Sequence, residues 1–207
     1  MNINKHIYTI KEMFNNFDIP NRNIITNLFI EHMLNVERAN LLGRYLDNKS
    51  MVARQNYSTI CVDMELAIKP DCTGNCMILK SVKPLPEYIG TLYVKAGNME
   101  LNKINQIIST YRKKSLANKE TVAYYVENGY LYIENNVALE TVMVRAIFVS
   151  LAEVNNPELV NCNCNNCLKD YDFSIDPKLI DVLYSLVMNA LVGHGNAKQS
   201  TKENVQE

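Results

Sequence analysis

Residues 121–134, TVAYYVENGYLYIE, read as two β-prone runs on either side of Asn128-Gly129. Asn-Gly is the preferred two-residue turn of a type I′ hairpin, because both positions take positive φ and these two residues tolerate it. The stretch therefore predicts an antiparallel hairpin, Thr121–Glu127 with Tyr130–Glu134, carrying Tyr124, Tyr125, Tyr130 and Tyr132. Downstream, TVMVRAIFV at 141–149 predicts another strand pairing with it. Upstream, Ile60, Val62, Met64, Leu66 and Ile68 alternate with Cys61, Asp63, Glu65 and Ala67, the period of a half-buried strand. Asp71–Asn75 reads as a turn, and 77–82 and 91–95 as two more strands. Pro84 and Pro86 between them cannot sit in a central strand. Residues 101–111 fit a helix through Leu101, Ile104, Ile107 and Ile108.

Helical signals flank this β-rich stretch. Ile7, Ile10, Phe14 and Phe17 recur at spacings of three and four, and Asp18–Asn21 breaks the pattern. A longer helix is expected over 22–47, with Ile25, Leu28, Phe29, His32, Val36, Ala39, Gly43 and Leu46 on its apolar face. Glu31, Glu37, Arg38 and Arg44 are expected on its exposed face. Near the other end, Asp176 suits an N-cap, Pro177 the first helical position and Gly193 the stop. Between them Leu179, Ile180, Leu183, Leu186, Val187, Ala190 and Leu191 form an apolar stripe. Helices, then strands, then a helix predict an α+β fold, with a central antiparallel sheet and the C-terminal helix packed on the N-terminal ones. The expected organisation is a helical part, 1–56 with 170–194, a β-rich insertion, 57–169, and a flexible tail, 195–207.

Composition excludes several functional classes. The net charge of −1 offers no global attraction to nucleic acid or an anionic membrane. No run of 18 apolar residues is present to span a bilayer. Residues 1–10 lack the apolar core of a secretory signal, so the cysteines are expected in a reducing cytoplasm. Only 7 glycines occur, and neither G-x-x-x-x-G-K-[ST] nor G-x-G-x-x-G is among the motifs they form. His6, His32 and His194 stand in no recognisable catalytic context, with His32 expected as a packing residue. Asp63 and Glu65 share a strand face, where paired carboxylates could do acid–base or metal work, but nothing converges on them. Arg112, Lys113, Lys114 and Lys119 read as a solvated basic turn without aromatic interleaving. The cysteines leave two readings open. Cys72 and Cys76, with Cys162, Cys164 and Cys167, are either reduced thiols or ligands of a structural zinc. The second reading makes the chain a cytoplasmic zinc-binding interaction module. Metal analysis decides it, since less than about 0.2 zinc per chain excludes a site of ordinary structural affinity. A third alternative is an enzyme with an unrecognised site.

The order of segments carries a resemblance. It runs from FIEHMLNVERANLLGRYLDNK into NYSTICVDMELAI, through CMILKSVKPLPEYI, YYVENGYLYIENN and TVMVRAIFVSLAEV, to IDPKLIDVLYSLVMNAL. Over roughly residues 22–192 this resembles the head-to-tail ring or adaptor proteins of tailed phages, most of all the ring-forming structural proteins of crAss-like phages. The CNCNNC loop has no place on that pattern. The resemblance implies a virion structural protein with no catalytic, cofactor or metal residues to carry over. It implies a closed ring, of twelve copies, in the phage neck or tail, made in the host bacterial cytoplasm. The implied partners are other copies of the chain, the portal protein, other tail ring proteins, and DNA passing without sequence-specific binding, with no membrane. An exposed hairpin with unpaired edges and several tyrosines is expected to meet the next ring.

Overall fold

The computed structural model describes residues 2–16, 25–48, 52–68, 77–105, 122–135, 138–154 and 173–203, with side chains as far as Gly193. The chain forms two compact units. One comprises Met1–Asn56, Val149–Leu151 and Leu168–Glu207, and the other Tyr57–Phe148 and Ala152–Cys167. Helices and a large sheet make the fold α+β.

The helices are α1 (Ile3–Asn16), α2 (Asn27–Asp47), the single turn α3 (Leu151–Val154) and α4 (Ile180–Glu203). Apolar residues at spacings of three and four bury one face of α1, through Ile3, Ile7, Ile10 and Phe14. Thr26 caps α2, its hydroxyl accepting from the Phe29 amide at 3.2 Å. Asp176 accepts from the Lys178 amide at 3.0 Å and starts a 3-10 turn, Pro177–Leu179, that runs into α4. Both N-terminal helices pack on α4. Their shared core includes Ile10, Ile30, Leu34, Phe173, Leu183, Val187 and Leu191.

Two expectations are corrected here. The buried face of α2 is Ile30, Met33, Leu34, Asn35, Arg38, Ala39, Leu41 and Leu42. Leu28 and His32 are exposed, and Arg38, expected in solvent, is fully buried. The inner face differs from the expected one because it carries two polar residues, Asn35 and Arg38, which blur the apolar stripe. In addition, Gly193 does not stop the last helix. The backbone of α4 continues to Glu203, through most of the expected tail.

Gly43 and Gly193 thus lie inside helices, and a Cβ at either would meet nothing within 4 Å. Alanine loses less backbone entropy on folding than glycine. Gly43→Ala and Gly193→Ala are each expected to stabilise by about 0.5–1 kcal/mol. A thermal melt should show the midpoint rising by roughly 1–4 °C; a fall would mean that the open space is occupied.

The second unit is built from β1 (Ser58–Ile68), β2 (Met77–Ser81), β3 (Tyr88–Ala96), β4 (Met99–Glu100), β5 (Asn102–Lys103), β6 (Ala123–Glu127), β7 (Tyr130–Glu134) and β8 (Thr141–Phe148). Their order is β4-β3-β8-β1-β2-β7-β6-β5. The two ends of this order, β4 and β5, are separated by Leu101 alone. Residues 99–103 pair with β3 on one side and with β6 on the other. The sheet therefore closes on itself as a small barrel. The Leu101 amide donates to Val94 O and the Ile104 amide to Tyr124 O, both at 2.8 Å. Among the described pairings only β5–β6 is parallel, and it spans two residues. Inward-facing Ile60, Val62, Leu79, Leu92, Val94, Leu131, Ile133, Val142 and Val144 fill the interior.

The hairpin forms as expected. Asn128 and Gly129 have φ of 51° and 80°, the double positive of a type I′ turn. The Leu85 amide donates to Gly129 O at 2.7 Å, so the proline-rich segment folds against this turn. Two other expectations fail. Strand β8 pairs with β1 and β3 instead of the hairpin, whose neighbour is β2. The expected helix over 101–111 does not begin, because Asn102–Lys103 is the strand that completes the barrel, and 106–111 lie outside the described residues.

Candidate functional site

The sequence offers three kinds of site: a catalytic cluster, a metal centre and a contact surface. Asp63 and Glu65 do share the outer side of β1. Asp63 stands opposite Thr141, and Glu65 opposite Lys80. Lys80 lies over the Tyr130 ring at 4.0 Å. No histidine joins this pair among the described residues. A hollow of about 190 Å³ borders Asp63, with Ile60, Val62, Val82 and Leu85 in its walls. Another, of about 270 Å³, lies in the helical unit between Ile10, Phe14, Ile30 and Leu191. Neither brings a nucleophile to a base.

Among the described residues no three His, Cys, Asp or Glu side chains stand close enough to hold a metal ion. Cys72, Cys76, Cys162, Cys164 and Cys167 lie outside the described residues, as does the basic turn at 112–119. Cys61 is half-buried on β1.

Four of the buried polar side chains, His6, Asn35, Arg38 and Asn56, lie in the helical unit. Arg38 donates from Nε to Ser174 O at 2.6 Å and from Nη2 to Asn56 O at 3.0 Å. Its guanidinium lies 5.8 Å from the centre of the Phe173 ring. The Asn56 side chain accepts from the Asp176 amide at 2.7 Å, which places the residue that caps the turn before α4. Asn35 accepts from the Leu151 amide at 3.1 Å. On α1, His6 Nδ1 shares a hydrogen bond of 2.8 Å with the Tyr184 hydroxyl, while Nε2 is buried without a partner. Desolvation, aided by positive charge at Lys5 and the chain N-terminus, lowers the His6 pKa to about 4. Burial likewise raises the Tyr184 phenol. These groups tie distant segments together, and none of them lines either hollow.

The hairpin is not the free surface that its tyrosines suggest. Tyr124 and Tyr125 are buried, and both edges of the hairpin are paired, to β2 and to β5. Tyr124 donates to Leu92 O across the barrel interior, and burial pushes its pKa up to about 12. Tyr125 stacks on Tyr132 at 5.1 Å. Exposed apolar side chains occur elsewhere on the barrel, at Leu66, Ile68 and Met77 on the β1–β2 ribbon and at Tyr93 and Met143 on β3 and β8. On the helices they include Leu28 and Val182. The alternation along β1 puts Leu66 and Ile68 on its apolar side, and both are nonetheless exposed.

The exposed apolar side chains of the barrel and of the helical unit are surfaces suited to contact. From residue 5 to residue 207 the chain matches the family model of crAss-like phage tail ring protein 2, and it belongs to that family. It is a phage tail ring protein and hence a tail component of the virion that associates with other tail proteins. No curated protein matches it. Among the described residues no helix is long and apolar enough to cross a membrane.

Proposed function

We propose that twelve copies of this chain close into a ring at the portal–tail junction of a tailed bacteriophage. The ring connects the portal protein to other tail ring proteins around the channel through which DNA passes. The observation that carries this reading is the family match over residues 5–207, and the resemblance in segment order adds the place and the copy number. The subunit acts as a connector and adaptor by contact area and geometry, without catalysis. It is made in the host bacterial cytoplasm and then built into the particle. A head-to-tail interface of this kind must close by rotation, since otherwise it makes a filament. The net charge of −1 favours a lining that lets DNA pass without sequence-specific hold.

Cryo-electron microscopy of the purified chain mixed with portal is expected to show a twelvefold ring stacked on it. Mass spectrometry of purified particles is expected to find the chain. Its absence from particles overturns the reading, and a ring of another symmetry overturns the copy number.

A further inference from the structure

We infer that the hairpin turn is a modification site, where Asn128 converts spontaneously to isoaspartate and so releases the proline-rich segment 84–86 from the hairpin. Of the 7 glycines only Gly129 follows an asparagine, so the chain holds a single Asn-Gly step. Both residues are exposed. The hairpin ladder ends at the Glu127–Tyr130 pair, outside the turn. Among the described residues neither the Asn128 side-chain amide nor the Gly129 N–H has a hydrogen-bond partner. Buried asparagines differ: Asn35 donates to Glu31 O and accepts from the Leu151 amide, and Asn56 accepts from the Asp176 amide. The reacting groups at the turn are thus untied and open to water, and glycine has no Cβ to shield its nitrogen.

The Gly129 nitrogen attacks Asn128 Cγ. The N–Cγ bond forms, the Cγ–NH2 bond breaks, and ammonia leaves with the Gly129 amide proton. Water then opens the cyclic imide, and nothing is oxidised or reduced. Opening at Asn128 C leaves the main chain running through Cγ, as isoaspartate, whereas opening at Cγ leaves ordinary aspartate. Isoaspartate adds a methylene to a turn whose geometry is set by two ordinary residues. That displaces Gly129, whose carbonyl accepts from the Leu85 amide at 2.7 Å. Gly129 also lies against Pro84, since a Cβ built on it would stand 3.5 Å from the Pro84 Cβ. Leu85 belongs to the barrel core and borders the hollow beside Ile60 and Val62, so its release opens that end of the barrel. The hairpin itself stays in place, through its pairing with β2 and β5 and through buried Leu131 and Ile133.

The test ages the full, folded chain for weeks at neutral pH and body temperature. Peptide mapping by mass spectrometry is expected to find Asn128 converted ahead of every other asparagine, with isoaspartate the main product. Pro84 and Pro86 have no N–H, so Leu85 carries the only exchangeable backbone amide of 84–86 and reports the release cleanly. In hydrogen exchange its protection should fall on the order of tenfold in the aged chain. Fresh Asn128→Asp carries the new charge without the added methylene, and aspartate tolerates the left-handed position. Its Leu85 amide should stay protected. Treating the aged chain with an isoaspartyl methyltransferase, which returns isoaspartate to aspartate, should restore protection without any substitution. An aged chain that keeps Asn128 intact, or that converts other asparagines first, overturns the inference. So does converted protein whose Leu85 amide is as protected as before, or protection that the methyltransferase does not restore. Loss of protection in folded Asn128→Asp overturns it too, since charge and not chain lengthening would then be the cause.

Discussion

Replacing Arg38 with alanine is expected to destabilise the protein by about 3–5 kcal/mol. The guanidinium is 0 % exposed and donates to two carbonyls, at Ser174 and Asn56, that belong to segments far from α2 in the chain. Removing it strands both oxygens in a dry interior, at about 1–3 kcal/mol each, and opens a cavity under Phe173. A buried charge is costly in itself, and exchanging a whole ionic group for apolar residues is often neutral. That exchange is not available here, because the carbonyl partners are backbone and remain after any substitution. Arg38→Met restores most of the volume and none of the hydrogen bonds, so it should recover only the cavity part of the loss. Arg38→Lys keeps the charge but has one ammonium for two carbonyls that the planar guanidinium reaches together. The expected order of stability in urea denaturation is wild type, then lysine and methionine, then alanine. A methionine variant as stable as wild type would show that the two hydrogen bonds contribute nothing.

That arginine also marks where the sequence stops being legible. What reads correctly is what adjacent residues decide. Asn128-Gly129 needs only its own φ preferences, Asp176-Pro177 only its own cap, and the Ile60–Met64 alternation only the pleat of one strand. The face of α2 depends instead on Ser174 and Asn56, which draw a charged side chain inward from positions 136 and 18 residues away. Tertiary hydrogen bonding there overrides the local apolar pattern. Closure of the barrel is hidden for the same reason. Asn102 and Lys103 look helical beside Leu101 and Ile104, and become strand because β6 presents them with a ladder while β3 holds the residues just before them. The contact surfaces fail in a different way. Period-two alternation tells which side of β1 is apolar, but it cannot tell where the cover over that side ends, and Leu66 and Ile68 lie beyond the end. The tyrosines of the hairpin mislead in the opposite sense, since a phenol can be buried once its hydroxyl finds a carbonyl, as Tyr124 does at Leu92.

Acidification is expected to weaken the helical unit through His6. Its folded pKa of about 4 lies below the ordinary value of 6.5. The folded chain therefore holds a neutral imidazole at pH values where the unfolded chain has already bound a proton. Stability is unaffected by this group above about pH 6.5, falls as the pH drops from there to about 4, and levels off below. The gap is worth roughly 3 kcal/mol when fully developed, at about 1.4 kcal/mol per pH unit. The cause is structural. The ring is enclosed by α1, α4 and Phe173, whose ring centre is 5.0 Å away, and its Nε2 has no acceptor to stabilise a second proton. Positive charge at Lys5 opposes protonation further. His6→Asn keeps a polar group where Nδ1 meets the Tyr184 hydroxyl and cannot titrate in this range. Its urea midpoint should start lower at pH 7.5, because ring packing is lost, and then fall less than that of wild type between pH 6.5 and 4. Carboxylates titrate in the lower part of this window in both chains, so the difference between the two curves isolates the imidazole. Parallel curves would mean that His6 is protonated in the fold as readily as in the unfolded chain, and that an acceptor reaches Nε2 when the proton arrives.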